Sequence, residues 1–424
     1  MQRSQKQVHI LELDGLRGAA IFMVLVYHYV SQQGAAPAGS LTASVQRAVS
    51  MWATGVDLFF VLSGFLIGGI LMQQRDSPSF FRTFYIRRSV RILPIYYLWT
   101  TLYIVLVLAA GPFLRAHAHS GMTPQLGWPV YIHYLFLQNF AFFSLAGLAS
   151  AWFGPTWSLA IEEQFYLLSP LIVRLVSPRR LSAVLISTIV AIPVLRILML
   201  WAGHPSAAAI SVLMICRADA LALGILAALL WRRAEFHAWA ARHISLLYAL
   251  LLLSMAGFAA LWKWAPETQT RAMESVGFTV TALTYVMVML LALLRRSGPI
   301  AVLARMRWLR ALGRISYCVY VIHVAVNVIC HALLLRDTPH VSTPKGLAVT
   351  ILAALLTCAL ATLSWFLLES PLLRLGHKYK YEKPAPASAG SYIPLPPLHP
   401  GDEPAQPVPG QVSPEAPLQD SPGA

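Results

Sequence analysis

Ten runs of roughly 20 mostly apolar residues fill this chain, and they leave few folds open to it. A segment surrounded by lipid must satisfy its backbone hydrogen bonds internally, so runs of this length are read as membrane-spanning helices. They lie near 14–32, 55–73, 92–110, 156–176, 181–202, 207–231, 243–264, 274–294, 315–335 and 346–368. Composition agrees: 57% of the 424 residues are hydrophobic and 12% charged, against about 25% charged in soluble domains. The expected fold is therefore an all-α polytopic membrane protein of about ten transmembrane helices. A shorter apolar stretch, "VYIHYLFLQNFAFF" (130–143), is read as a re-entrant or interfacial segment.

Charge placement sets the expected orientation. With the N-terminus in the cytoplasm, 23 of the 32 Lys and Arg fall on the cytoplasmic side and six outside. The other three, Arg17, Arg196 and Arg217, fall within spans. This asymmetry predicts that both termini are cytoplasmic. The net charge of +15 is scattered in short clusters between apolar runs, so the expected partner is the lipid bilayer and not a nucleic acid. The competing view of the N-terminus is a cleaved signal peptide ahead of "GAAPAGS" (34–40), which Arg17 and His28 fit poorly. From Pro384 the chain has 12 prolines in 41 residues, so residues 377–424 are expected to be a disordered cytoplasmic tail after a membrane domain at 1–376. Four cysteines, all inside apolar runs, read as reduced packing residues.

A charge inside a span costs several kcal/mol unless it is paired or used, which makes each one a site hypothesis. Arg17 and His28 are eleven residues apart, almost three turns of one helix face. Asp14 lies within pairing reach of Arg17. That face joins an anion-gripping end to a proton-accepting end; the alternative is a snorkelling arginine and a core histidine. Asp57 in "GVDLFFVLSGFLIGG" is expected at the depth of His28, either orienting its imidazole or capping a helix. In "FRTFYIRRSVRILPIYYL", Arg88 and Arg91 share a face suited to phosphate or to simple membrane anchoring.

"PTWSLAIEEQFYLLSP" carries Glu162 and Glu163, which cannot both face lipid. "CRADALALG" offers Arg217 and Asp219 for mutual neutralisation or for partners on other helices. In "GRISYCVYVIHVAVN", Ser316, Tyr320 and His323 form one polar stripe, either functional or inter-helix glue. "HAHS" (117–120) is a weak metal signal, and no metal site is expected.

Taken in order, "LDGLRGAAIFMVLVYHY", "GVDLFFVLSGFLI", "FYIRRSVRILPIYYL", "PTWSLAIEEQFYLLSP", "CRADALALG", "LGRISYCVYVIH" and "FLLESPLL" resemble the acyltransferase-3 family of integral membrane proteins, over about residues 9–376. That family includes O-antigen, exopolysaccharide and Nod-factor acetyltransferases. Its Arg-x10-His motif matches Arg17 and His28, its R-x-x-R motif matches Arg88 and Arg91, and its W-S-L-x-x-E pattern selects Glu162 over Glu163.

The resemblance implies a multi-pass protein of the bacterial cytoplasmic (inner) membrane. Its expected activity moves an acyl group, most often acetyl, from cytoplasmic acyl-CoA to a hydroxyl of a carbohydrate or glycolipid acceptor. Acyl-CoA is then a co-substrate, and no bound cofactor is expected. The implied site uses His28 as base or nucleophile, Asp57 to orient it, and Arg17, Arg88 and Arg91 for the CoA phosphates. Glu162, Tyr320 and His323 would position the thioester or acceptor. Many relatives also carry an esterase-like domain, for which only the proline-rich tail is left here. The alternative class is a membrane transporter or flippase, whose pathway would also need buried ionisable residues.

Overall fold

The computed structural model describes residues 10–34, 36–117, 129–144, 154–203, 210–264 and 270–382. Helices α1 (Leu11–Val26), α2 (Leu41–Ala48), α3 (Gly55–Gln73) and α4 (Phe80–His117) open the chain. Two short helices follow, α5 (Val130–Tyr134) and α6 (Gln138–Ser144). Next come α7 (Trp157–Leu175), α8 (Pro178–Trp201), α9 (Ala218–Trp231) and α10 (Ala234–Arg242). The chain continues through α11 (Ile244–Trp264), α12 (Phe278–Leu294) and α13 (Pro299–Ala304). It closes with α14 (Arg307–Leu335), α15 (Pro344–Ser364) and α16 (Ser370–Gly376). No strand occurs among the described residues. The molecule is an all-α polytopic membrane protein.

Among the described residues, eight helical stretches are long and apolar enough to cross a membrane. The fourth and sixth expected spans are present as α7 and α9 but fall short of that standard. α7 carries Glu162, Glu163 and Arg174 in its 19 residues, and α9 has only 14 residues behind a 3₁₀ turn at Ile215–Arg217. The third span also differs. Its helix begins at Phe80, twelve residues before the apolar run, because the arginine-rich stretch forms its first turns.

The stretch at 130–143 is a pair of short helices. Phe136 turns the chain between them with φ 55° and stacks on Tyr96 at 4.5 Å. The fully buried Gln138 donates to Thr156 O at 2.9 Å. At about 1.5 Å per residue neither helix can span, so the stretch is not a membrane crossing of its own.

The inner bundle is built from α1, α3, α9, α12 and α14, while α8 and α11 face outward. Lipid is as apolar as leucine, so helix pairs in a membrane associate by close backbone approach at small residues. Gly18 of α1 lies against the Leu309 carbonyl, and Gly313 of α14 against the Asp14 carbonyl. This clasp holds the turn that carries Arg17. Gly18→Val is expected to lower stability by about 1–3 kcal/mol or more through overpacking. Gly69→Ala, where an added Cβ meets nothing within 4 Å, should be neutral. Thermal aggregation of the two detergent-solubilised variants gives the comparison.

Cys216, Cys318 and Cys330 are buried and Cys358 half-buried, all as free thiols. After α16, residues 377–382 lie along the start of α4. Ser77 Oγ donates to Glu382 O and Arg87 Nε donates to Tyr379 O, each at 2.8 Å. This part of the expected tail is therefore bonded to the helical domain; residues 383–424 lie outside the described residues, as do residues 118–120 of the "HAHS" stretch.

Candidate functional site

In the second turn of α1, Arg17 Nη1 bonds Asp14 Oδ1 at 3.1 Å, the i,i+3 pair expected from the sequence. Arg88 and Arg91 of α4 belong to the same neighbourhood. The charge of Arg17 acts on those of Arg91 and Arg88, and Arg88 acts on Arg91. Arg88 sits over the rings of Tyr166 at 5.8 Å and Phe84 at 5.9 Å, with a buried Nε that has no partner. The carboxylates facing the cluster are Asp14, Glu162, Glu163 and Glu369. Tyr381, from the segment after α16, lies under Arg87 at 5.2 Å. Burial pushes its phenol up, while Arg87 and Arg88 pull it down.

From this cluster a line of polar side chains runs into the bundle. Tyr166 OH lies 3.3 Å from Ser63 Oγ, and Ser63 donates to Glu162 Oε1. Four residues earlier on the same face of α7, Ser158 Oγ meets Tyr320 OH at 2.6 Å. Both hydroxyls also reach the Pro155 carbonyl, Tyr320 at 2.8 Å and Ser158 at 3.3 Å, so the three groups form one small hydrogen-bonded cluster. Tyr320 and His323 rings are 5.8 Å apart, and His323 meets His28 edge-to-face at 4.8 Å. The line thus draws on α1, α3, α4, α7 and α14.

His28 lies in a π-helical turn, Tyr27–Ser31, that continues α1. Such turns break the 3.6-residue period and are frequent at functional sites. Its Nδ1 is 2.9 Å from Val24 O. A carbonyl only accepts, so Nδ1 carries the ring proton and Nε2 of the neutral ring is left with the lone pair. His28 is half-buried, whereas His323 is fully buried.

The structure brings Arg17, Arg88, Arg91, Glu162, Tyr320, His323 and His28 into one line. It does not bring Asp57 to His28. Asp57 Oδ1 is bound by Arg217 Nη2 at 2.6 Å, both side chains only 2% exposed. The expected orienting contact is corrected accordingly: His28 Nδ1–H donates to Val24 O, and Asp57 neutralises Arg217, whose charge also acts on the buried Glu274. Arg196 and Asp219 form a second such pair at 3.0 Å, joined by Thr279, which donates to Asp219 Oδ2 at 2.6 Å.

Sequence reasoning missed Tyr166 and Ser158 as members of the line. Both stand in "PTWSLAIEEQFYLLSP", four residues to either side of Glu162, and that spacing is the signal that could have found them.

A family model described as an acyltransferase domain matches residues 10–369. The putative peptidoglycan O-acetyltransferase YrhL of Bacillus subtilis is 27% identical over 396 residues, 89% of this chain and 57% of its own. O-acetyltransferase OatA of Staphylococcus aureus is 24% identical over 375 residues, 86% of this chain and 57% of its own. Peptidoglycan O-acetyltransferase OatA of Listeria monocytogenes is 33% identical over 172 residues, 38% of this chain and 24% of its own. The chain thus spans 57% of the length of the first two relatives. No solved structure matches. With the match running from the start of α1 to Glu369, across every residue of the polar line, this chain belongs to the acyltransferase-3 family.

Proposed function

We propose that this chain is a membrane O-acetyltransferase that moves an acetyl group from cytoplasmic acetyl-CoA to a hydroxyl of a carbohydrate or glycolipid acceptor, in the bacterial inner membrane. The observation that carries the reading is the polar line from three mutually repelling arginines to one imidazole with an open Nε2. Three guanidinium groups gathered at one mouth favour a polyanion, and the CoA phosphates supply one. Arg17 and His28 are separated by about 16 Å along the helix axis, a span that an extended pantetheine arm can cover. The relatives' names, two of which specify peptidoglycan, support acetyl as the group and a glycan as the acceptor.

In this reading the acceptor O–H gives its proton to His28 Nε2 as the oxygen attacks the thioester carbonyl. The C–S bond then breaks, and the departing thiolate takes the proton back from the imidazolium. No proton is gained or lost overall. Ser63 and Tyr166 hold Glu162 beside the path, and Tyr320 fixes the wall below His323.

Purified protein incubated with acetyl-CoA and a peptidoglycan or polysaccharide fragment tests the reading directly. Acetyl transfer with release of free CoA is the expected result, and absence of any acetyl-CoA consumption would restore the transporter alternative. Arg88→Ala is expected to raise KM for acetyl-CoA about tenfold or more while leaving kcat nearly intact. The loss of one charge-assisted contact, about 1.5–3 kcal/mol, sets that scale. An unchanged KM would return Arg88 and Arg91 to membrane anchoring.

A further inference from the structure

His323 is buried completely, and its Nε2 has no hydrogen-bond partner. Its Nδ1 lies 2.8 Å from Tyr320 O, so Nδ1 carries the proton and Nε2 is an unused lone pair. A buried acceptor left open costs about 1–3 kcal/mol. A phenylalanine would fill much the same space without that cost, so the nitrogen calls for an explanation. Among the described residues, the imidazole packed against it is that of His28, 4.8 Å away and steeply inclined at 72°.

The placing of the two rings is over-determined. Tyr29, the residue next to His28, donates its hydroxyl to the backbone carbonyl of His323 at 2.8 Å. The same hydroxyl lies 2.9 Å from Thr357 Oγ1 on α15. The π-turn carrying His28 is thereby tied to the backbone that carries His323, while the His323 ring is pinned by its own helix. Drift of the His323 ring would break a buried hydrogen bond, and drift of the His28 ring a half-buried one.

We propose that His323 is a positioning residue for acyl transfer, its open Nε2 lone pair stabilising the His28 imidazolium that forms as the acceptor hydroxyl gives up its proton. This rests on the acyltransfer reading above. The neutral His28 ring gains nothing from that lone pair; the cation does, in a dry interior where such a fixed dipole acts strongly. The stabilisation therefore belongs to the transition state and is felt in kcat, not in donor binding. No bond to His323 forms or breaks.

The test compares His323→Phe with His323→Gln at matched amounts of membrane-inserted protein. Gln can place its Oε1 acceptor near the position of Nε2, whereas Phe keeps only the packing. The expected result is a kcat lowered about tenfold to a hundredfold in the Phe variant, with KM for acetyl-CoA unchanged and most of the loss recovered by Gln. In a His28→Ala background the Phe substitution should have no further effect. His323→Leu serves as the apolar variant if Phe does not accumulate. Full kcat in the apolar variant, or equal losses in Phe and Gln, would overturn the proposal. Wild-type turnover that His28→Ala abolishes stands apart from this comparison, so failure of the His323 role and failure of the acyltransfer reading give different results.

Discussion

His28→Ala is expected to abolish measurable acetyl transfer, with kcat lower by about 10²- to 10⁴-fold, the usual contribution of a positioned proton acceptor. The protein should still insert in the membrane, because no inter-helix hydrogen bond of the His28 ring is seen among the described residues. The ring bonds to Val24 O of its own helix and otherwise touches Tyr27 and His323 through ring contacts. KM for acetyl-CoA should stay within about twofold, since the arginine mouth lies about 16 Å away along α1. Transfer assays on membranes with matched protein levels give both numbers. His28→Gln separates a base from a mere hydrogen-bond donor or acceptor, because an amide cannot take a proton near neutral pH. Transfer at the wild-type rate in either variant would remove His28 from the chemistry.

Local spacing alone makes part of this site legible in the sequence. Asp14 and Arg17 pair because i and i+3 are neighbours on any helix, and the apolar runs locate α1, α3, α7 and most other helices within a few residues. Tyr320 and His323 on one face also follow from one period, whereas Ser316 of the same stripe donates to Gly313 O of its own helix. Contacts between distant segments are not legible in the same way. Nothing in the sequence ties Ser63 to Glu162, 99 residues away, or Tyr29 to His323, 294 residues away.

Depth alone suggests Asp57 for His28, and depth does not choose among partners at one level of a bundle. Burying an unpaired guanidinium is far more costly than leaving an imidazole hydrogen-bonded to a carbonyl, so Arg217 takes Asp57. The start of α4 is hidden for another reason. Hydropathy ends a span where arginines begin, although the helix continues through them to Phe80.

The Asp57–Arg217 pair carries the largest expected effect on stability. Asp57→Leu leaves Arg217 charged, 2% exposed and without its carboxylate. Its Nε and Nη1 already lack partners. Breaking a buried pair from one side costs about 3–5 kcal/mol, whereas replacing both members by apolar residues is often neutral. Asp57→Leu and Arg217→Met alone are therefore each expected to reduce the folded fraction sharply in detergent, and the double variant to recover most of it. The guanidinium also stacks on Phe278, 3.7 Å from its ring centre, and methionine keeps part of that packing. Activity per folded molecule makes the distinction from a catalytic role. A structural Asp57 predicts that the double variant turns over acetyl-CoA at nearly the wild-type kcat. A stable double variant with kcat reduced as far as in His28→Ala would place Asp57 back in the reaction, acting on His28 through a geometry other than its pairing with Arg217.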